Sequence, residues 1–159
     1  MEAVVANSVS RSRRQVALVF LLAAALLTTG IVTDPVRAGA TVPPRGEMFR
    51  LTNADREAKD RHDLDLNTRL SRYAKRHSRA MAERGELFHT PDLAAKLDGL
   101  DWTIGGENVG VGPDLPSLED AFMASSPHRK NILRRGFYDT AIGVYESDGS
   151  FWVTVIFYG

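Results

Sequence analysis

From Glu47 onward, apolar positions recur along the chain with a period that changes from helical to strand-like. Met48, Leu51 and Ala54, with Ala58 one turn on, predict a first helix that carries Asn53 and Arg56 beside its apolar stripe. Leu70, Ala74, His77 and Met81 follow at intervals of four, three and four, between Asn67 as a helix-starting cap and Gly85 as a stop. This second helix places His77 on its apolar stripe. A short amphipathic piece covers Leu93 to Leu100, and Val109 and Val111 alternate within the Gly-rich run from Gly105 to Gly112 as in a short strand. Pro116 and Ser117 open a third helix, with Asp120 placed as in a capping box and Pro127 as its stop, and Asn131 to Arg135 add one more turn. Ala141 to Glu146 and Phe151 to Tyr158 read as strands joined by the turn Ser147-Asp148-Gly149-Ser150. The second of them is apolar on both faces, which predicts a central strand covered by helices.

Helices followed by an antiparallel hairpin, with no repeating strand-helix-strand unit, predict an α+β fold: a three-layer α-β-α sandwich around a small antiparallel sheet. The 159 residues, 43% of them hydrophobic, suit one domain. The N-terminal segment stands apart from it. Arg11, Arg13 and Arg14 precede an uncharged apolar run from Val16 to Val32, and Ala38-Gly39-Ala40 is a small-x-small cleavage pattern. Residues 1–40 therefore read as a signal peptide, 41–46 as a Pro43-Pro44 linker, and 47–159 as the domain, secreted or held at the cell envelope with no stable membrane span after cleavage. Ser12-Arg13-Arg14-Gln15-Val16 is similar to a twin-arginine motif, so both that route and the ordinary Sec route stay open.

Charge and cysteine content narrow the function classes. Residues 1–40 hold four Lys+Arg and two Asp+Glu, which leaves 16 against 18 of the chain's 20 and 20, a formal charge of −2 that gives no argument for nucleic acid. The basic residues from Arg69 to Arg84 read as a solvated helix face. With no cysteine, the domain has neither disulfide nor thiol chemistry and must be held by packing alone. The sequence has no phosphate loop, His-Glu-x-x-His pair or Gly-x-Ser-x-Gly elbow.

Three polar residues sit in runs punctuated by Gly and Pro, where sites are usually built. His89 lies in Leu87-Phe88-His89-Thr90-Pro91, Glu107 follows Gly105-Gly106 and precedes Asn108, and His128 lies in the run from Ser125 to Leu133. Two imidazoles and a carboxylate could give Zn²⁺ three ligands and leave a fourth position to water. The alternative is that they only hydrogen-bond one another or backbone around a polar cleft. Spacings of 18 and 21 residues hold no short-range ligand pair that would decide between the two. His77 reads as packed in the helix-two interface and His62 as a solvated loop residue. Ser125 and Ser126 read as turn and cap chemistry, Asn53 and Arg56 as braces, and Asn108 and Asn131 as partners for loop backbone.

Several runs, in order, resemble the CAP superfamily of cysteine-rich secretory proteins, antigen 5 and pathogenesis-related proteins, in its bacterial SCP-like extracellular form. They are Asn53-Ala54-Asp55-Arg56, the helix bearing His77-Ser78, Phe88-His89, Gly106-Glu107-Asn108-Val109, Ser126 to Leu133, and Ile142-Gly143-Val144 with the last strand. The resemblance implies an α-β-α sandwich with a cleft that holds His89, Glu107 and His128, where some members bind a divalent metal. It also implies Ser125 at the place of a second glutamate, and Phe122 in place of a tryptophan. The expectation is thus a cleft of His89, Glu107, His128, Ser125 and Asn108, with Zn²⁺ or another divalent cation held weakly by His89, His128 and Glu107. The functional expectation is a non-enzymatic monomer that binds a metal, a small amphiphile or an envelope partner. A metal-assisted hydrolase and a purely structural envelope module are the alternatives.

Overall fold

Two long apolar strands near the C-terminus set the frame on which every helix rests. The computed structural model describes Val4–Val5 and residues 42–159. The elements run β1 (Val4–Val5), α1 (Pro44–Glu57), β2 (Asp65–Leu66), α2 (Thr68–Arg84), α3 (Leu93–Leu97), β3 (Gly105–Gly112), α4 (Leu115–Ala124), α5 (Ser126–Ile132), β4 (Asp139–Ser147) and β5 (Ser150–Tyr158). Apart from Val4–Val5, the signal-peptide reading of residues 1–40 falls outside the described residues.

β4 and β5 turn through Asp148 and Gly149 at φ of 51° and 70°, the left-handed pair that a two-residue hairpin of the favoured twist requires. β3 lies antiparallel on the other edge of β5, giving the order β1-β3-β5-β4-β2 and leaving β5 central as its two apolar faces predict. The two-residue strands β1 and β2 pair in parallel with β3 and β4, so the sheet is mixed rather than wholly antiparallel.

Strand alternation then divides the core between the two faces. Val153, Val155 and Phe157 of β5 pack with Met48 of α1 and Leu118 and Phe122 of α4. Ala141 of β4 and Ile156 and Tyr158 of β5 pack with Leu70 and Ala74 of α2 and Leu97 of α3. The result is the expected helix-sheet-helix layering. Phe122, Phe137 and Phe157 are wholly buried, each contributing roughly 2–3 kcal/mol by removal from water. The α2 helix comes so close to β4 that a Cβ on Gly143 would lie 2.0 Å from the carbonyl carbon of Ala74. Ser78 uses this proximity, its Oγ lying within hydrogen-bond reach of the Gly143 carbonyl at 3.1 Å and the Thr154 hydroxyl at 2.9 Å.

Helix ends account for the differences from the sequence reading. Asn67 and Gly85 cap α2 as expected: the Asn67 side chain accepts from Leu70 N–H, and Gly85 takes a left-handed φ of 64°. The first helix, however, begins at Pro44, inside the segment read as linker, because a proline supplies the right φ and lacks only an amide that the first turn does not need. The cap of α4 is Asp114, whose carboxylate accepts from Ser117 N–H at 2.7 Å, and not the Ser117–Asp120 pair. For the same reason as Pro44, Pro127 opens α5 instead of closing the helix before it.

Arg56 ties α1 to the chain after α5. Its side chain is wholly buried and donates to the carbonyls of His62, Ile132, Arg134 and Phe137 at 2.6–3.1 Å. Asn53 holds the backbone of Leu64 from both sides, accepting from its N–H and donating to its carbonyl.

Between α1 and α4 lies a buried carboxyl, Glu119, beside Thr52. Burial, with the charge of Asp55 next, raises its pKa from the ordinary 4.5 to about 8. The folded chain thus holds a proton that the unfolded chain has lost, so this contribution to stability declines as pH rises from 4.5 to 8. Glu119→Gln should remove that decline, worth at most a few kcal/mol, so that its Tm exceeds wild type by more at pH 8 than at pH 5. Equal Tm differences at both pH values would contradict the raised pKa. In the same melting assay, Gly143→Ala should lower stability by more than about 3 kcal/mol or prevent folding, because backbone and not a movable side chain fills the space.

Candidate functional site

Glu107 lies on β3 opposite Ile156, and alternation sends it and its neighbour Asn108 to opposite faces of the sheet. The side of each follows from the flanking glycines. A Cβ on Gly105 would meet Leu97 of α3, whereas a Cβ on Gly106 would meet Asn131 and one on Gly110 would meet Phe122 of α4. Glu107 therefore projects with Gly105 to the face of α2 and α3, and Asn108 to the face of α4 and α5.

The turn after α2 delivers two partners to Glu107. His89 Nδ1 donates to Glu107 Oε1 at 2.8 Å, the Thr90 backbone N–H donates to the same oxygen at 2.8 Å, and the Thr90 hydroxyl donates to Oε2. Three of about four acceptor positions of the carboxylate are thereby used. The Glu107 side chain is only 4% exposed, against 32% for His89. A carboxylate so buried needs such donors, since leaving it short of them costs several kcal/mol.

His77 supports the same turn from α2. Its Nδ1 lies 3.1 Å from Thr154 Oγ1, and its ring meets Phe88 edge-on at 4.9 Å. Burial lowers its pKa, while the charge of Glu107 and the backbone of His89 act the other way.

On the opposite face, the Asn108 amide donates to the His128 carbonyl at 3.1 Å. Asn131 donates to the Glu107 carbonyl at 3.2 Å and to Asn108 Oδ1 at 2.9 Å. These asparagines fix α5 against β3. His128 Nδ1 lies 2.8 Å from Ser125 Oγ, and its ring packs on Phe122 at 5.1 Å. Ser125 begins α5 with its backbone, but its side chain makes no cap hydrogen bond.

The structure therefore unites His89 with Glu107, and His128 with Ser125 and Asn108, along β3. Among the described residues, no three His, Cys, Asp or Glu side chains are placed to hold a metal ion. Glu107 is engaged by Thr90 and by His89 Nδ1, which leaves His89 Nε2 and one of about four acceptor positions of the carboxylate outside these bonds. Sequence reasoning missed Thr90, the main partner of Glu107; its one signal was a hydrogen-bonding residue between His89 and Pro91. His62 is an exposed loop residue as read, and its Nε2 lies 2.7 Å from the Phe137 carbonyl with its ring stacked on Tyr138 at 4.5 Å.

Comparison with known proteins agrees with this fold. Residues 49–157 match the cysteine-rich secretory protein family, CAP. The uncharacterized protein YkwD of Bacillus subtilis (strain 168) is 32% identical over 113 residues, 67% of this chain and 44% of YkwD. An extracellular protein containing an SCP domain from Bacillus anthracis str. Ames superposes with a TM-score of 0.62 at 24% identity, over 70% of this chain and 39% of that one. An outer surface protein of Borrelia burgdorferi superposes with a TM-score of 0.60 at 18% identity, over 70% of this chain and 89% of that one. The chain thus spans less than half the length of YkwD and of the Bacillus anthracis protein.

Thr90→Val keeps the shape of the side chain but removes the hydroxyl that faces Glu107 Oε2. It should cost about 1–3 kcal/mol in a denaturant titration, while Thr90→Ser should cost under about 1 kcal/mol. Equal stability of the Val variant and wild type would show that the hydroxyl does not satisfy the carboxylate.

Proposed function

The chain belongs to the cysteine-rich secretory protein (CAP) family, and on that premise we propose that it is an exported, non-enzymatic binding module whose His/Glu cleft is a structural joint. The observation that carries this reading is the Glu107 carboxylate, which accepts from His89 and twice from Thr90. A general base needs a lone pair aimed at substrate or water, and a ligand needs one aimed at the metal. Here those lone pairs hold the turn after α2 to β3. The joint shapes the surface around it, and binding takes place beside it.

Export is supported by the charged-then-apolar segment before residue 41 and by the description of structural relatives as extracellular or outer-surface proteins. An extracellular module with no cysteine has to gain its rigidity from buried hydrogen bonds and packing, which is the task the cleft residues perform.

Melting of wild type and His89→Ala, each with Zn²⁺ and with chelator, tests this. The loss of one hydrogen bond to a carboxylate should cost about 1 kcal/mol and lower Tm by roughly 3–6 °C in either condition. Zn²⁺ should leave wild-type Tm unchanged. A rise in Tm with Zn²⁺ that disappears in His89→Ala would overturn the proposal in favour of a metal site. Hydrolysis of peptide or cell-wall substrates that vanishes with chelator and in His128→Ala would do the same in favour of a metal-assisted hydrolase.

A further inference from the structure

The α2 helix has a second face that neither the core nor the cleft uses. Of its 17 residues, six are Lys or Arg and one is Glu, although the region after residue 40 is slightly acidic. Leu70, Ala74, His77 and Met81 turn inward. Arg69, Arg72, Lys75, Arg76 and Arg79 are all exposed and share the opposite arc. From Arg69 to Arg79 this stripe runs about 15 Å along the helix. Among the described residues only Arg79 of the five makes an ion pair, with Glu83 at 2.8 Å. Repulsion among such neighbours is a standing cost that a solvated helix face ordinarily relieves with interspersed acids.

Two features make this more than a charged helix. First, the stripe borders a groove of about 420 Å³ between α2 and the α3 segment, lined by Arg69, Arg72, Arg76 and Lys96 around Tyr73, with Asp98 the one acidic residue there. A second hollow continues it past Arg72, Lys75, Arg76 and Arg79 to Tyr145. Second, tyrosine rings hold the cations in place. Lys96 Nζ lies 5.2 Å and the Arg76 guanidinium 6.0 Å from the centre of Tyr73, and the Arg79 guanidinium 6.0 Å from that of Tyr145. Cations held over rings have less side-chain freedom to lose when an anion arrives.

We propose that this face binds a linear anionic polymer bearing repeated phosphate or carboxylate groups, laid along α2 from the Tyr73 groove to Tyr145. The spacing of the cations suits a chain whose charges repeat better than a single small anion, which would engage only part of the stripe. Single-stranded nucleic acid is a poorer match, because it needs free aromatic faces for its bases and these rings already carry cations. A membrane surface is poorer too, since only two large apolar residues among those described are exposed, Val42 and Tyr138, and neither lines the two hollows that the stripe borders. The inference rests on the export reading only for where the polymer would be met.

The test is a titration of the full chain with long-chain polyphosphate and with polygalacturonate, alongside phosphatidylglycerol vesicles and a single-stranded DNA. At least one of the two polymers should bind, more weakly as salt rises, and more tightly than the vesicles or the DNA. The exposed double change Arg72→Glu with Arg76→Glu should weaken that binding about tenfold or more. Lys130→Glu with Arg135→Glu, on the other side of the sheet, should change it less than about twofold while altering net charge equally. Circular dichroism and Tm confirm that both variants fold. Binding of neither polymer, tighter binding of vesicles or DNA, or equal losses in the two variants would overturn the proposal. Melting with and without Zn²⁺ would be unaffected in each of those cases, so failure here is distinct from failure of the structural-joint reading.

Discussion

A buried carboxylate has to be satisfied where it lies, and Glu107 meets that demand with groups that belong to another part of the chain. Its backbone is fixed in β3, yet two of its three donors come from Thr90 and the third from His89, in the turn that leaves α2. Once these bonds form, the end of α2 is located relative to the sheet edge, and His77 and Phe88 pack behind it. The backbone carbonyl of the same residue accepts from Asn131, and Asn108 next to it holds His128, so both helical layers are referred to one point on β3. Arg56 performs a comparable service at the far end of α5, where its guanidinium gathers the carbonyls of Ile132, Arg134 and Phe137.

Much of this was legible in the sequence wherever cause and effect are close together along the chain. The caps of α2, the Asp148-Gly149 turn and the doubly apolar central strand are local matters of backbone conformation and alternation, and they stand as read. The misread elements had two locally valid interpretations. Pro44 and Pro127 can each end one element or begin the next, and Asp114 competes with Ser117 as the cap of α4. Packing decides such cases. The acceptors of Arg56 at the end of α5 and in the loop after it lie 76 to 81 residues away, and its role as a brace could be read but its partners could not.

The site shows the same division. Phe88-His89 and Gly106-Glu107-Asn108 meet at the Glu107 carboxylate, and the run through His128 meets the same strand through Asn108. What the pattern could not give was orientation. One residue of register along β3 separates the face that Glu107 meets from the face that Asn108 meets. The same register argument gives α2 its two faces, one closed on Gly143 and the sheet, the other lined with cations.

The central claim is that His89 serves Glu107 through Nδ1 as part of a structural joint. Nitrogen-15 NMR of the His89 ring in the full chain, with and without Zn²⁺, reads this directly. The account predicts a proton on Nδ1, coupled to Glu107 and lost from view in Glu107→Ala, and no change in either ring nitrogen when Zn²⁺ is added. A ring with Nδ1 unprotonated, or nitrogen shifts that move on addition of Zn²⁺ together with those of His128, would contradict it.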